Sequence, residues 1–156
     1  MRVEYINPFY QATIDVFRVM LSLEPTRGTL RAVEELVPVS EANVGIGVTG
    51  DLRGSLLYSF PASMALEMVR IMSGMEMTKL DAFVTSALSE VANIISGNAL
   101  TYLARNSLTC DISPPQAFVG SKGAMAMSTE KAIVLPLITD IGTLEISISL
   151  HAKHVE

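Results

Sequence analysis

Residues 47–60, GVTGDLRGSLLYSF, return in altered form as residues 135–149, LPLITDIGTLEISIS. Each copy has an apolar run, an acidic turn, a glycine, then Ser or Thr and Leu opening a second run. This is β-hairpin chemistry: Gly and Asp supply the turn, and alternating apolar residues supply a buried face. In the second copy Leu144, Ile146, Ile148 and Leu150 share one side, with Thr143, Glu145, Ser147 and Ser149 on the other. Such a strand buries one face only. Gly54 and Gly142 stand 88 positions apart, and Asn7 and Asn93, on helices ahead of the two hairpins, stand 86 apart. Two near-equal offsets predict an internal duplication about a pseudo-twofold axis.

Outward from the hairpins, helices and strands alternate in blocks. Asn7-Pro8 reads as an N-cap followed by proline at the first helical position. Phe9, Ile14, Val16, Phe17, Met20 and Leu21 then recur near helical spacing until Pro25. TLRAVEELVPV at 29–39 reads as a strand, NVGIGVTG and GSLLYSF as a hairpin turning at Gly50-Asp51-Leu52-Arg53, and Pro61 opens a helix closed by Ser73-Gly74. A long helix is predicted from about Thr78 to Asn106, and the paired prolines of DISPPQAFVG make the next segment extended. AMAMST, AIVLPLI and TLEISISL read as strands. The expected fold is α+β: a two-layer sandwich of helices on a largely antiparallel sheet, in one domain spanning residues 1–156.

Composition narrows the function. The chain is 49% hydrophobic with a formal net charge of −5, and its eleven Lys and Arg are scattered. Nucleic-acid binding, which needs clustered cations against phosphates, is not expected. The longest apolar runs are too short to span a bilayer. Asp15 and Arg18 break the N-terminal apolar run, so it reads as a helix of the mature protein rather than a signal peptide. The single cysteine, Cys110, reads as a small residue near a helix end and fits a reducing, cytoplasmic setting.

The long helix carries the chemistry. SALSEVANIISGN at 86–98 is mostly small and apolar, yet Ser86, Glu90, Asn93 and Gly97 interrupt it. At about 100° per residue these four share a narrow wedge. Val84, Leu88, Val91, Ile95, Ala99, Tyr102 and Leu103 line the opposite side. A mid-helix glycine costs about 1 kcal/mol against alanine. By spacing alone the wedge is either the solvated face, with Gly97 easing a helix contact, or a surface for a partner. A carboxylate beside an amide lacks the imidazole and nucleophile of an acyl-transfer triad, and lacks His or Cys for a transition metal. It can hold a water and pair with a cation. Positioning of that kind suits phosphoryl transfer.

SALSEVANIISGNAL followed by DISPP, with GVTGDLRGSLLYSF and ALEMVRIMSGME, resembles the CheC/CheX/FliY family of bacterial chemotaxis phosphatases, most of all its CheX branch. Ser86, Glu90, Asn93 and Pro115 occupy the places of the family signature. The resemblance implies dephosphorylation of the phospho-aspartate of a CheY-like response regulator. It assigns Asn93 to positioning the attacking water and Glu90 to pairing with a regulator lysine; Ser86, in the signature, and Gly97, by its place on the wedge, are the expected partner-binding positions. It places Mg2+ in the regulator, leaves this chain without a cofactor, and implies a homodimer joined through sheet edges. The alternative is a non-catalytic CheC-like module that docks a regulator or flagellar switch component.

Glu4-Tyr5-Ile6-Asn7 is also Glu-x-x-Asn, as at the second site of some relatives. The N-cap reading of Asn7 argues against it, since Glu4 would then precede the helix. His151 and His154 are expected in a frayed tail, Glu34-Glu35 at a solvated strand edge, and Met64, Met68, Met72, Met75 and Met77 as flexible core filler. GVTGDLRG lacks the Lys and following helix of a phosphate-binding P-loop.

Overall fold

The two hairpins form, and they lie side by side. In the computed structural model, which describes residues 1–34, 36–120, 123–126 and 131–152, the chain order is α1 (Val3–Leu21), β1 (Thr26–Arg27), β2 (Arg31–Val33), β3 (Leu36–Val39), β4 (Ala42–Gly50), β5 (Leu52–Phe60), α2 (Ala62–Ser73), α3 (Ala82–Arg105), β6 (Cys110–Ile112), β7 (Gln116–Val119), β8 (Gly123–Ala126), β9 (Ala132–Thr139) and β10 (Gly142–Ala152). The main antiparallel sheet runs β1-β9-β10-β5-β4-β6, with β2 also on β9 and β7 also on β4. β10 meets β5 in the middle, Ile148 opposite Leu56 and Ile146 opposite Tyr58.

This pairing carries the predicted pseudo-twofold relation. The segment α1-β1-β2-β3-β4-β5 matches α3-β6-β7-β8-β9-β10 element for element, with α2 between them. The short strands of each half pair with the hairpin of the other, β1 and β2 on β9, β6 and β7 on β4. β3 and β8 pair with each other as a separate ribbon. The hairpin glycines Gly54 and Gly142 both have positive φ, 150° and 143°. At Gly54 a Cβ would lie 1.7 Å from the Ser149 carbonyl oxygen, so no other residue fits there.

The alternation of the strands sorts the core. Val44, Ile46, Leu56, Tyr58, Leu135, Leu137, Leu144, Ile146 and Ile148 point into the layer covered by the helices, together with Phe9, Phe17, Met64, Met68, Leu88 and Ile95. Each such side chain contributes about 1.5–3 kcal/mol of burial. On the other face a smaller cluster joins Val37, Leu57 and Ala132. Met64 and Met68 are core, while Met75 is exposed.

Several expectations need correction. α1 does not begin at Pro8: Arg2 is the N-cap, and Asn7 and Pro8 lie inside the helix. Starting earlier buries Tyr5 and Ile6, at 7% and 2% exposure. Burying a large apolar side chain such as Ile6 is worth about 1.5–3 kcal/mol, and with the ring of Tyr5 it offsets the ~3 kcal/mol cost of a helical proline. The segment 29–39 divides between β2 and β3, which belong to different sheets, and β1 was not foreseen. α3 begins at Ala82, because the Asp81 side chain accepts a hydrogen bond from the Val84 amide. Cys110 lies in β6 and His151 in β10 opposite Arg53, so neither sits at a helix end or in a frayed tail. Glu35, His154 and residues 127–129 of AMAMST lie outside the described residues.

Candidate functional site

α3 packs against α1 and α2 and lies over the sheet. Val84, Leu88, Val91, Ala92, Ile95, Ser96, Ala99 and Leu103 form its buried side. The sequence reading found this stripe with three differences, the simplest being that Ala92 also belongs to it. Tyr102 is half-buried, its hydroxyl donating to the Asp15 carboxylate of α1 with Arg105 over its ring. Ser96, not singled out from sequence, is fully buried and bonds the Tyr58 hydroxyl of β5 at 2.7 Å. Burial pushes the Tyr58 phenol far up, so it stays neutral and hydrogen-bonded. This bond pins α3 to the sheet from beneath. Its sequence signal was a lone serine among apolar residues, on the flank of the buried stripe.

With that side anchored, the wedge faces outward. Ser86 and Glu90 are exposed, and Asn93 and Gly97 are half-buried on the same face. Glu90 and Asn93 are i, i+3 neighbours within a continuous helix, so their side chains project together. Among the described residues neither side chain has a hydrogen-bond or ion-pair partner. A carboxylate and an amide are thus held in place by a helix whose own fold makes no use of them. Pro115 lies apart from them in sequence, half-buried in the connection between β6 and β7.

Gly97 is informative through contrast. A Cβ there would meet nothing within 4 Å, whereas at Gly50 one would come within 2.6 Å of the Thr109 carbonyl oxygen. The fold therefore demands glycine at Gly50 and not at Gly97. The alternative that Gly97 eases a helix contact within this chain is removed. What remains is the open space itself, on the same face as Glu90 and Asn93.

The second Glu-x-x-Asn is also brought onto one helix face, against expectation. Glu4 and Asn7 are both exposed on α1. They differ from the α3 pair in being engaged: Arg2 pairs with Glu4 at 2.9 Å, and Arg27 donates to the Asn7 side-chain oxygen at 3.3 Å. Glu4 borders a cavity with Asn106, Ser107 and Leu108 at the C-terminal end of α3, so the two pairs occupy different ends of the helix layer.

Other features of the surface are less suited to chemistry. A cavity of about 440 Å3 opens on the sheet face away from the helices, lined by Gly45, Gly47, Ser55, Ser113, Gln116 and Phe118, with no charged side chain among the described residues. Among the described residues no three His, Cys, Asp or Glu side chains cluster, and no helix is long and apolar enough to cross a membrane.

Comparison with known proteins places the chain. The family model described as chemotaxis phosphatase CheX matches residues 43–137, a span that includes most of β4, all of β5, α2 and α3, and most of β9. The chain is 34% identical over 122 residues to the CheY-P phosphatase CheX of Thermotoga maritima, covering 77% of this chain and 78% of that protein. Its fold is similar to that of a CheC-like superfamily protein from Shewanella sp. PV-4, with a TM-score of 0.88 at 26% identity, over 97% of this chain and 100% of the other. It is also similar to a chain in the CheX-CheY-BeF3-Mg2+ complex from Borrelia burgdorferi, with a TM-score of 0.75 at 27% identity, over 96% and 99% of the two chains. With its α+β fold, duplicated hairpins and Glu-x-x-Asn helix, the chain belongs to the chemotaxis phosphatase CheX family.

Proposed function

We propose that the chain hydrolyses the aspartyl phosphate of a CheY-like response regulator, with Asn93 positioning the water and Glu90 holding the regulator. The observation that carries this is a pair of side chains unpartnered among the described residues, i, i+3 on the outer face of an α3 anchored on its inner face. An amide is neither acid nor base near neutral pH; its hydrogen-bond donors and carbonyl acceptor orient what they touch. Placed against an acyl phosphate, the Asn93 amide aims a water along the line of the scissile bond. The water oxygen bonds to phosphorus, the bond to the aspartyl oxygen breaks, and that carboxylate leaves with its electron pair. Inorganic phosphate is the second product. Such a step gains its rate from orientation and electrostatics.

Glu90 supplies the complementary half of docking. An exposed carboxylate pairs with the regulator lysine that the family resemblance implies, which sets register and speeds encounter. The structure of the Borrelia relative contains CheY, BeF3 and Mg2+. In the present reading Mg2+ enters with the regulator, while this chain contributes the amide and the carboxylate. Ser86 and Gly97 flank the pair as contact positions, Gly97 admitting the partner close to the helix backbone. The whole chain acts as one domain in the cytoplasm. Two copies associate through sheet edges, where β7 exposes Val119 at 54%.

The test mixes the protein with CheY-like regulators of its own genome, phosphorylated by acetyl phosphate, and follows phosphate loss. Acceleration by the wild type that Asn93→Ala abolishes is the expected result. Acceleration undiminished in Asn93→Ala would remove Asn93 from the mechanism. Binding without acceleration by the wild type would make the chain a docking module.

A further inference from the structure

The exposed stripe of α3 continues beyond the four polar positions. Phe83, Ser86, Glu90, Asn93, Gly97 and Thr101 follow one another at spacings of three, four, three, four and four. All lie within Ala82–Arg105, and none is among the buried residues of α3. A three-four alternation keeps side chains on one narrow line along a helix, the geometry that meets another protein surface. From Phe83 to Thr101 the line is roughly 27 Å long, close to the width of a small folded domain.

Phe83 is the apolar member of that line. It is 49% exposed and takes no part in either hydrophobic cluster. Isolated exposed hydrophobic side chains are ordinary, so exposure alone assigns nothing. Register is what distinguishes Phe83: it stands seven residues before Glu90, two helical turns along the same face. Its neighbour Val84 is fully buried and fixes the orientation of the first turn, as does the Asp81 cap. An aromatic ring held on a rigid helix buries a large area at small entropic cost, which is the character of an interface anchor.

Resting on the reading of Glu90 and Asn93 given above, we propose that Phe83 is the apolar anchor of the docking surface. The occupant is the folded domain of the phosphorylated response regulator itself, carrying a complementary apolar patch. With ten residues separating Phe83 from Asn93, that patch lies about 15 Å from the phosphoryl group. Three contacts then divide the work. Phe83 supplies affinity by desolvation, Glu90 supplies charge registry, and Asn93 supplies reaction. The stripe selects regulators by surface far from the phosphate, which the Glu-Asn pair alone cannot do.

The experiment measures steady-state dephosphorylation of the regulator at varied concentration, alongside titration of the beryllofluoride-bound regulator, for wild type, Phe83→Ala and Phe83→Leu. Phe83→Ala should raise KM and Kd about tenfold, the scale of a lost anchor, while kcat stays within about twofold. Phe83→Leu should recover most of the affinity. Because the ring is half exposed, thermal unfolding of Phe83→Ala should match the wild type. Unchanged KM and Kd, or a loss in kcat alone, would overturn the proposal. A shift of Phe83→Ala toward monomer in sedimentation would assign the ring to a second copy of this chain and would also overturn it. Absence of turnover by the wild type would refute the catalytic reading instead, and the titration would still decide Phe83.

Discussion

α1 and α3 each present a Glu-x-x-Asn pair at an exposed face, and they occupy equivalent places in the duplicated fold. Only the surroundings differ. Among the described residues Glu90 and Asn93 have no partner, while Glu4 and Asn7 are held by Arg2 and Arg27. α3 runs two turns before Glu90, with Phe83 and Ser86 in line, whereas α1 starts one residue before Glu4. At the offset of 86, the counterpart of Gly97 is Gln11, an exposed side chain where α3 leaves open space. Exposed ion pairs contribute only about 0–1 kcal/mol, so Arg2 and Arg27 alone do not disable α1. Shape does more. A partner that approaches the α3 backbone at Gly97 would meet a glutamine at the same place on α1. In the proposed mechanism the motif supplies the chemistry, and the open helix face around it lets a partner reach it.

The largest effect should come from the two asparagines. Asn93→Ala should slow regulator dephosphorylation on the order of 10²-fold or more, the cost of losing a group that orients a reactant, while Asn7→Ala stays within about twofold. Equal losses at both sites, measured as phosphate release, would break the contrast. Glu90→Ala should weaken binding of the beryllofluoride-bound regulator about tenfold, more than Asn93→Ala does, and should flatten its salt dependence. Glu4→Ala should leave both unchanged.

The anchoring of the two helices can be separated in the same way. α3 is tied to the sheet by the buried Ser96–Tyr58 bond. The Arg27–Asn7 bond from β1 to α1 is exposed, and the buried side of α1 packs mainly through apolar side chains such as Phe9 and Phe17. Ser96→Ala leaves the Tyr58 hydroxyl buried without a partner and should cost about 1–3 kcal/mol in urea unfolding. Turnover should survive where the variant is folded.

Gly97→Gln makes α3 resemble α1. It should raise KM several-fold, and because glutamine is the better helix former, stability should rise by up to about 1 kcal/mol. Lost stability instead would show that the chain itself needs glycine there. The smallest effect should be Arg27→Ala, which frees Asn7. Phosphatase activity should change by less than about twofold, since Gln11 still stands over the α1 face.

Much of this was legible in the residues. The hairpins and their twofold relation were visible because turn chemistry and period-two alternation are local and survive duplication. The buried and outer faces of α3 followed from helical periodicity, which needs only the angle between successive residues. Phe83 was overlooked although its spacing to Glu90 was available, because an apolar residue at a helix start reads as core until its exposure is known. The N-cap reading of Asn7 failed for a related reason. Capping preferences are local and worth about 1 kcal/mol, and the burial of Tyr5 and Ile6 against the rest of the molecule outweighed them.

By itself the sequence determined the two hairpins, the duplication and the shared face of Glu90 and Asn93, all consequences of short-range geometry. Tertiary structure decided the rest. It set which half's short strands complete the other half's sheet, that α1 begins early enough to expose a second Glu-x-x-Asn, and that Gly97 faces open space. Each of these depends on atoms distant in the chain, whose contacts and burial no local pattern contains.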